Sequence, residues 1–188
     1  NLQKGIGSML KSHKVEVISG EATLRGPGKV AVDGTIHEGR YVLIATGSSP
    51  ARPPIPGLRE AGVMTSREAL ELETVPKSIA IIGGGYIGME FASLFSKLGS
   101  EVSVIEMMPE IIPFLDPDLA KRLRTSIKGV EYHLGARVTG VSEGKVQVRT
   151  SDGEEASIEA EKILLSAGRR PNTESAGVAE AGVEIGRA

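Results

Sequence analysis

Residues 78–106 constrain this chain more than any other stretch. An apolar run, Ser78-Ile79-Ala80-Ile81-Ile82, leads into Gly83-Gly84-Gly85-Tyr86-Ile87-Gly88. Beyond the glycines, Ile87, Phe91, Leu94, Phe95 and Leu98 recur at i, i+4, i+7, i+8 and i+11, which is one face of an amphipathic helix, and Gly99 suits its C-terminal cap. Glu101-Val102-Ser103-Val104-Ile105-Glu106 then predicts a second strand. Strand, glycine loop, helix and strand make a βαβ unit, whose continuous apolar strands belong in a buried parallel sheet.

Such a unit suits a dinucleotide. Gly83 allows the tight turn out of the strand, Gly85 lets backbone approach a pyrophosphate, and Gly88 lets the helix pack against the strand. The helix N-terminus then offers free N–H groups and the positive end of its dipole to the phosphates. Glu106 falls where the chain of such a unit emerges beside the adenine ribose. A carboxylate there accepts from both ribose hydroxyls and repels a 2′-phosphate. Met107-Met108-Pro109 follow with no arginine, so the pattern favours NAD over NADP. A plain glycine turn followed by a solvated glutamate is the competing reading.

Elsewhere, short β-like runs alternate with Gly, Pro-Gly and Asp-Gly punctuation. They fall at 15–18, 22–24, 29–32 and 41–45, after a helix end over 1–13. Residues 49–57 (SPARPPIPG) read as an extended connector, and Ser66 as the N-cap of a short helix over 66–72. Asp116-Pro117 opens a helix through about residue 127, closed by Gly129, and β-like runs return at 130–134, 137–142, 145–150, 156–160 and 162–166.

The late runs echo the early ones in order. Val15-Glu16-Val17-Ile18 matches Val130-Glu131-Tyr132-His133, and Lys29-Val30-Ala31-Val32 matches Lys145-Val146-Gln147-Val148. Tyr41-Val42-Leu43-Ile44-Ala45-Thr46-Gly47 matches Lys162-Ile163-Leu164-Leu165-Ser166-Ala167-Gly168, each with proline three residues on (Pro50, Pro171). Duplication is the expectation, and a first copy so placed would have most of its βαβ unit before residue 1. The chain is therefore expected to be cut short at its N-terminus.

Other chemistries find little support. The absence of cysteine removes thiol catalysis, disulfides and thiolate metal sites from within the chain. A net charge of −2 leaves no electrostatic footprint for nucleic acid or an anionic membrane. No apolar run approaches the roughly 20 residues of a membrane span, and the N-terminus has no signal-peptide core, so a cytoplasmic location is the default expectation. His13, His37 and His133 show no metal or triad spacing. Glu106, Glu110, Asp116 and Asp118 are interrupted by prolines and read as a helix cap with solvated loop charges; Lys121-Arg122-Leu123-Arg124 reads as a solvated helix face.

Three motifs in order carry a family resemblance. Residues 62–113, containing MTSREALELETVPKSIAIIGGGYIGMEFASLFSKLGSEVSVIE, closely resemble the dihydrolipoyl dehydrogenases, among the class I pyridine nucleotide–disulfide oxidoreductase flavoproteins. Residues 41–57 (YVLIATGSSPARPPIPG) are similar to the second motif of the family's FAD domain, and KILLSAGRRPN at 162–172 to the strand returning to that domain.

The resemblance implies an α/β, FAD/NAD(P)-binding three-layer fold: a small parallel sheet, a helix layer behind it and a β-meander in front, flanked by partial FAD-domain strands. The implied domains are 1–64 (partial FAD-binding), 65–166 (NAD-binding) and 167–188 (partial return to the FAD domain). Gly83, Gly85 and Gly88 would cradle the NAD pyrophosphate and Glu106 the ribose. Glu90 would lie beside the nicotinamide, with Tyr86 and Ile87 between nicotinamide and flavin. Val138 would flank the adenine, Gly168 would approach the nicotinamide half, and Thr46 and Gly47 would touch FAD. Plainer readings stand beside these: Glu90 as a helix-surface carboxylate, Tyr86 as a helix-start packing residue, Val138 as strand core.

The family's FAD glycine loop, redox-active cysteine pair, later Gly-Asp flavin motif and C-terminal His-Glu pair have no counterpart in the sequence. The expectation is therefore a central portion of a homodimeric flavoenzyme associated with lipoyl-bearing complexes, binding NAD but not turning it over. The alternatives are the corresponding portion of an NADH oxidase or mercuric reductase, or a non-catalytic NAD-binding module.

Overall fold

A computed structural model of the chain describes residues 2–174 and 176–186, which form two compact units. The first draws on residues 1–48 and 171–188. It carries α1 (Leu2–Ser12) and an antiparallel sheet of β1 (Ala22–Leu24), β2 (Lys29–Val32) and β3 (Thr35–Glu38), in that order. Asp33 and Gly34, at φ 46° and 87°, make the two-residue turn that pairs β2 with β3. Asp-Gly suits a turn needing positive φ at both positions, so β3 follows from a dipeptide that marks a hairpin and not merely a break between strands.

The strands expected at 15–18 and 41–45 do not form. A strand exists through its ladder partners, and neither run has one among the described residues. Their apolar side chains stay in solvent, Leu43 at 90% exposure. The repeat thus survives at the meander, where β2 is the central strand of its sheet, and not in the flanking runs.

Past the first unit the chain forms β4 (Ser48–Pro50), α2 (Ser66–Leu70), β5 (Ser78–Ile82), α3 (Tyr86–Lys97) and β6 (Glu101–Glu106). It continues through α4 (Pro117–Ser126), β7 (Val130–Leu134), β8 (Arg137–Ser142), β9 (Lys145–Arg149), β10 (Glu155–Glu159), β11 (Lys162–Leu165) and β12 (Arg169–Pro171). β4 and β12 pair with each other. The cap of α2 is Thr65, one residue before the expected Ser66. Its N–H donates to Glu68 Oε2 at 2.7 Å, and its side chain accepts from the Arg67 N–H, a Thr-x-x-Glu capping box.

The second unit, residues 49–170, is built on a parallel sheet ordered β11-β5-β6-β7. Alternation along each strand separates two cores. Ile79, Ile81, Val102, Val104 and Leu164 face Met89, Phe91, Ala92 and Phe95 of α3. Ala80, Ile82, Ile105, Ile163 and Leu165 face Val141, Val146, Val148 and Ile158 of the antiparallel meander β10-β9-β8. Strands apolar on both faces are what a sheet sandwiched between two layers requires. The three-layer α/β architecture expected from the sequence is the one observed. Residues 49–64 belong with this unit, where Leu58 and Val63 are buried in the meander-side core and the Val141 N–H donates to Pro56 O at 2.9 Å.

The crossing of α3 over β5 depends on Gly88. A Cβ at that position would be driven into the carbonyl group of Gly83, while meeting Ile81 Cγ2 only at an ordinary contact distance of 3.5 Å. Gly88→Ala is expected to cost about 1–3 kcal/mol of unfolding free energy, or more, by forcing the helix off the strand. Urea unfolding of the variant beside the wild type measures it, and an unchanged midpoint would contradict the tight crossing.

Candidate functional site

The C-terminal ends of β5, β6 and β11 open onto a cavity of about 580 Å3, the end at which open α/β sheets take ligands. Gly83 leaves β5 at φ 108°, its N–H donating to Ile105 O at 2.8 Å, and Ser166 O blocks its Cβ position at 2.5 Å. Gly85 is the N-cap of α3. No side chain caps that helix, and a Cβ on Gly85 would meet no protein atom within 4 Å.

Glu106 lies at the end of β6, only 7% exposed. Its Oε2 accepts from the Gly84 N–H at 2.6 Å and its Oε1 from the Met108 N–H at 2.8 Å. Two amide donors replace the water lost on burial, and such bonds to an ionised acceptor are among the stronger ones. Glu106 is thus tied to the glycine loop and is not a solvated glutamate. Each oxygen keeps a further lone pair for a ligand hydroxyl.

Of the residues marked in the sequence, Gly83, Gly85, Glu106, Val138 and Gly168 line this cavity. Gly88 is buried behind the loop, and Ile87 packs against the helix-side core. Tyr86, 59% exposed, and Glu90, also exposed, line a different hollow with Ile112, Leu123 and Lys128. Thr46 and Gly47 lie in the first unit, where Asn172 Nδ2 donates to Thr46 O at 3.0 Å and the Asn172 N–H to Gly47 O at 3.0 Å.

Several lining residues carry no local sequence signal because loops distant in sequence supply them. Residues 53–56 of the proline-rich connector form one side. Gly84 packs closely beside Glu106, whose Cβ would lie 3.1 Å from a Cβ there. No arginine directly follows Glu106 in the sequence, but the fold brings Arg137 to the same cavity. The Ala136 N–H donates to Glu106 O at 3.0 Å, and Arg137, one residue on, is exposed and lines the same cavity.

A profile of the family described as pyridine nucleotide-disulphide oxidoreductase matches residues 1–188. The chain belongs to this family. Dihydrolipoyl dehydrogenase of Acholeplasma laidlawii is 42% identical over all of the chain and 56% of its own length. Mercuric reductase of Staphylococcus aureus is 35% identical over 95% of the chain and 34% of its own length. Among solved structures, the Cu(II) complex of the HOCl-induced flavoprotein disulfide reductase RclA of Escherichia coli superposes with a TM-score of 0.82 at 32% identity, covering 98% of the chain and 43% of that protein. The chain therefore spans between about a third and just over half of these family members. The resemblance read from the three motifs is borne out. Among the described residues, no helix is long and apolar enough to cross a membrane, and no cluster of metal-ligating side chains occurs.

One ion pair beside the cavity overturns another expectation. Glu110 and Arg124 are not solvated charges. Arg124 Nε donates to Glu110 Oε1 at 2.9 Å and a terminal nitrogen to Oε2 at 3.1 Å, with the side chains only 23% and 26% exposed. The Arg124 guanidinium, and less strongly the Ile111 N–H, hold the Glu110 carboxyl below its ordinary 4.5 against the opposing pull of burial. A carboxyl lowered in the folded state contributes stability above its unfolded value and loses it as the pH falls through the folded one. Glu110→Gln is therefore expected to be less stable than wild type by a constant margin above about pH 5, with the two converging as the pH falls below about 4. Urea unfolding from pH 7 to pH 3 tests this, and a margin independent of pH would contradict it.

Proposed function

We propose that the parallel-sheet unit binds a pyridine dinucleotide, NAD in preference to NADP. The pyrophosphate lies over Gly83, Gly85 and the N-terminus of α3, and the adenine ribose on Glu106. One observation carries this reading. Gly83 and Gly88 are glycines because protein atoms occupy their Cβ positions, whereas Gly85 faces open space and no protein contact demands its missing Cβ. A ligand does. The uncapped helix end beside it suits an anion, and the free lone pairs of Glu106 suit a ribose diol.

In the same reading Val138 flanks the adenine and Gly168 approaches the nicotinamide half. Tyr86, Ile87 and Glu90 do not line the cavity, and their place at the nicotinamide rests on the resemblance alone. For a flavin the chain offers Thr46 and Gly47 but no second Gly-x-Gly-x-x-Gly loop, so a flavin pyrophosphate has no matching cradle within the sequence. A bound nicotinamide supplies a hydride acceptor. The chain's own residues would hold the dinucleotide that carries it, through Gly83, Gly85, the N-terminus of α3 and Glu106.

For the whole protein we propose dihydrolipoamide oxidation with electrons leaving to NAD, in a homodimer serving lipoyl-bearing complexes. This is supported by the 42% identity to a dihydrolipoyl dehydrogenase. It requires the reactive dithiol to lie outside these 188 residues, since they contain no cysteine. Arg137 favours a second reading of the coenzyme, because a guanidinium at the Glu106 end of the cavity is a ready partner for a 2′-phosphate.

Calorimetric titration with NADH and NADPH separates the readings. NADH is expected to bind at least about tenfold more tightly than NADPH. Gly85→Ala is expected to weaken NADH by about tenfold or more with an unchanged thermal midpoint, since its Cβ meets only the ligand. Binding of neither coenzyme overturns the dinucleotide reading, and tighter NADPH binding transfers coenzyme selection from Glu106 to Arg137.

A further inference from the structure

We infer that the Glu110–Arg124 pair, which does not itself line the cavity, is a positioning device that holds the segment between β6 and α4 in place as the cavity's apolar wall. The inference rests on the dinucleotide reading above and adds to it a control point outside the site. Residues 107–115 form neither helix nor strand. Yet Met107, Met108, Pro113 and Phe114 from this segment line the cavity beside Glu106. Irregular backbone keeps one shape only where it is pinned.

Besides the Gly135 N–H, which donates to Met108 O at 3.0 Å, three attachments pin it. The Met108 N–H is held by Glu106 Oε1 at 2.8 Å, and the Ile112 N–H by Gly84 O at 2.9 Å. Both of these attach the segment to the glycine loop and its glutamate, so they move with the site. The third is independent of the site: the two-pronged bond from Arg124 on α4 to Glu110. The Arg124 guanidinium also lies 5.9 Å above the Tyr132 ring on β7, so one cation links segment, helix and sheet edge.

A hold from outside is needed here because Ile112 sits at φ 44°, a conformation that a β-branched residue leaves when released. Ile111 and Ile112 are both buried in the helix-side core, so a shift at Glu110 is passed directly to Ile112 and on to Gly84. The planar fork of arginine matters as well as its charge, since lysine cannot place two parallel donors on one carboxylate.

The test uses the full chain with Arg124→Lys, Arg124→Met and Glu110→Gln. It measures thermal midpoints, amide exchange over residues 107–115 and titrations with NADH and ADP-ribose. Arg124→Lys, which keeps the charge and protects folding, is expected to weaken NADH by about fivefold to tenfold while shifting the midpoint little. ADP-ribose is expected to weaken in step, because the wall lies at the Glu106 end, and the 107–115 amides to exchange faster. The double variant Glu110→Gln/Arg124→Met is expected to bind no more weakly than either single variant. A merely structural pair would lower the midpoint and leave both affinities unchanged, which overturns the positioning role alone. Failure of the wild type to bind NADH overturns both this role and the dinucleotide reading.

Discussion

The bond from the Gly84 N–H to Glu106 Oε2 is the interaction on which the functional end of this chain depends. It joins the loop after β5 to the last residue of β6, so two neighbouring strands share one rigid rim. Through its other oxygen the same carboxylate receives the Met108 N–H and sets the direction in which the following segment departs. A buried carboxylate without these donors would be expensive, and buried amides without the carboxylate would be expensive too. Neither partner can leave alone, which makes the rim a fixed platform rather than a mobile loop.

Beneath that rim, packing sets where the platform points. The alternation of Ile79 and Ile81 with Ala80 and Ile82 places α3 on one face of the sheet and the meander on the other. Close approach at Gly88 brings the start of α3 against the strand it has just left. The helix N-terminus, the glycine loop and Glu106 therefore meet at the same end of the sheet. The meander then adds Val138 and Arg137, and the proline-rich connector adds residues 53–56. The proposed dinucleotide site rests on ordinary sheet geometry, with one carboxylate and one bare helix end as its polar groups.

Much of this is legible in the sequence because its signals are local. Ser78–Ile82, Glu101–Glu106, Val130–Leu134 and Arg137–Ser142 form strands at the bounds their patterns predict. Asp116 caps α4, with Pro117 in its first turn. The misses are of two kinds. Residues 15–18 and 41–45 have strand-like composition, but a strand needs neighbours that no local pattern can show. Thr65 rather than Ser66 caps α2, and there the signal is present, since the spacing from Thr65 to Glu68 marks a capping box. The site divides in the same way. Gly83, Gly85 and Glu106 are readable from spacing, whereas Arg137 and the connector are brought in by the tertiary fold, as is the Glu110–Arg124 pair outside the cavity.

The central claim is that the rim formed by Gly83, Gly84, Gly85 and Glu106 is where a dinucleotide lies. Backbone amide NMR of the chain during addition of NADH tests it most directly, because each amide reports its own surroundings. The expected result is that the largest shifts fall on residues 83–88, on Glu106 and Met108, and on 136–138. Shifts gathered instead around Ser93, Lys97 and Lys128 in the hollow between α3 and α4, with residues 83–85 and Glu106 unmoved, would contradict it.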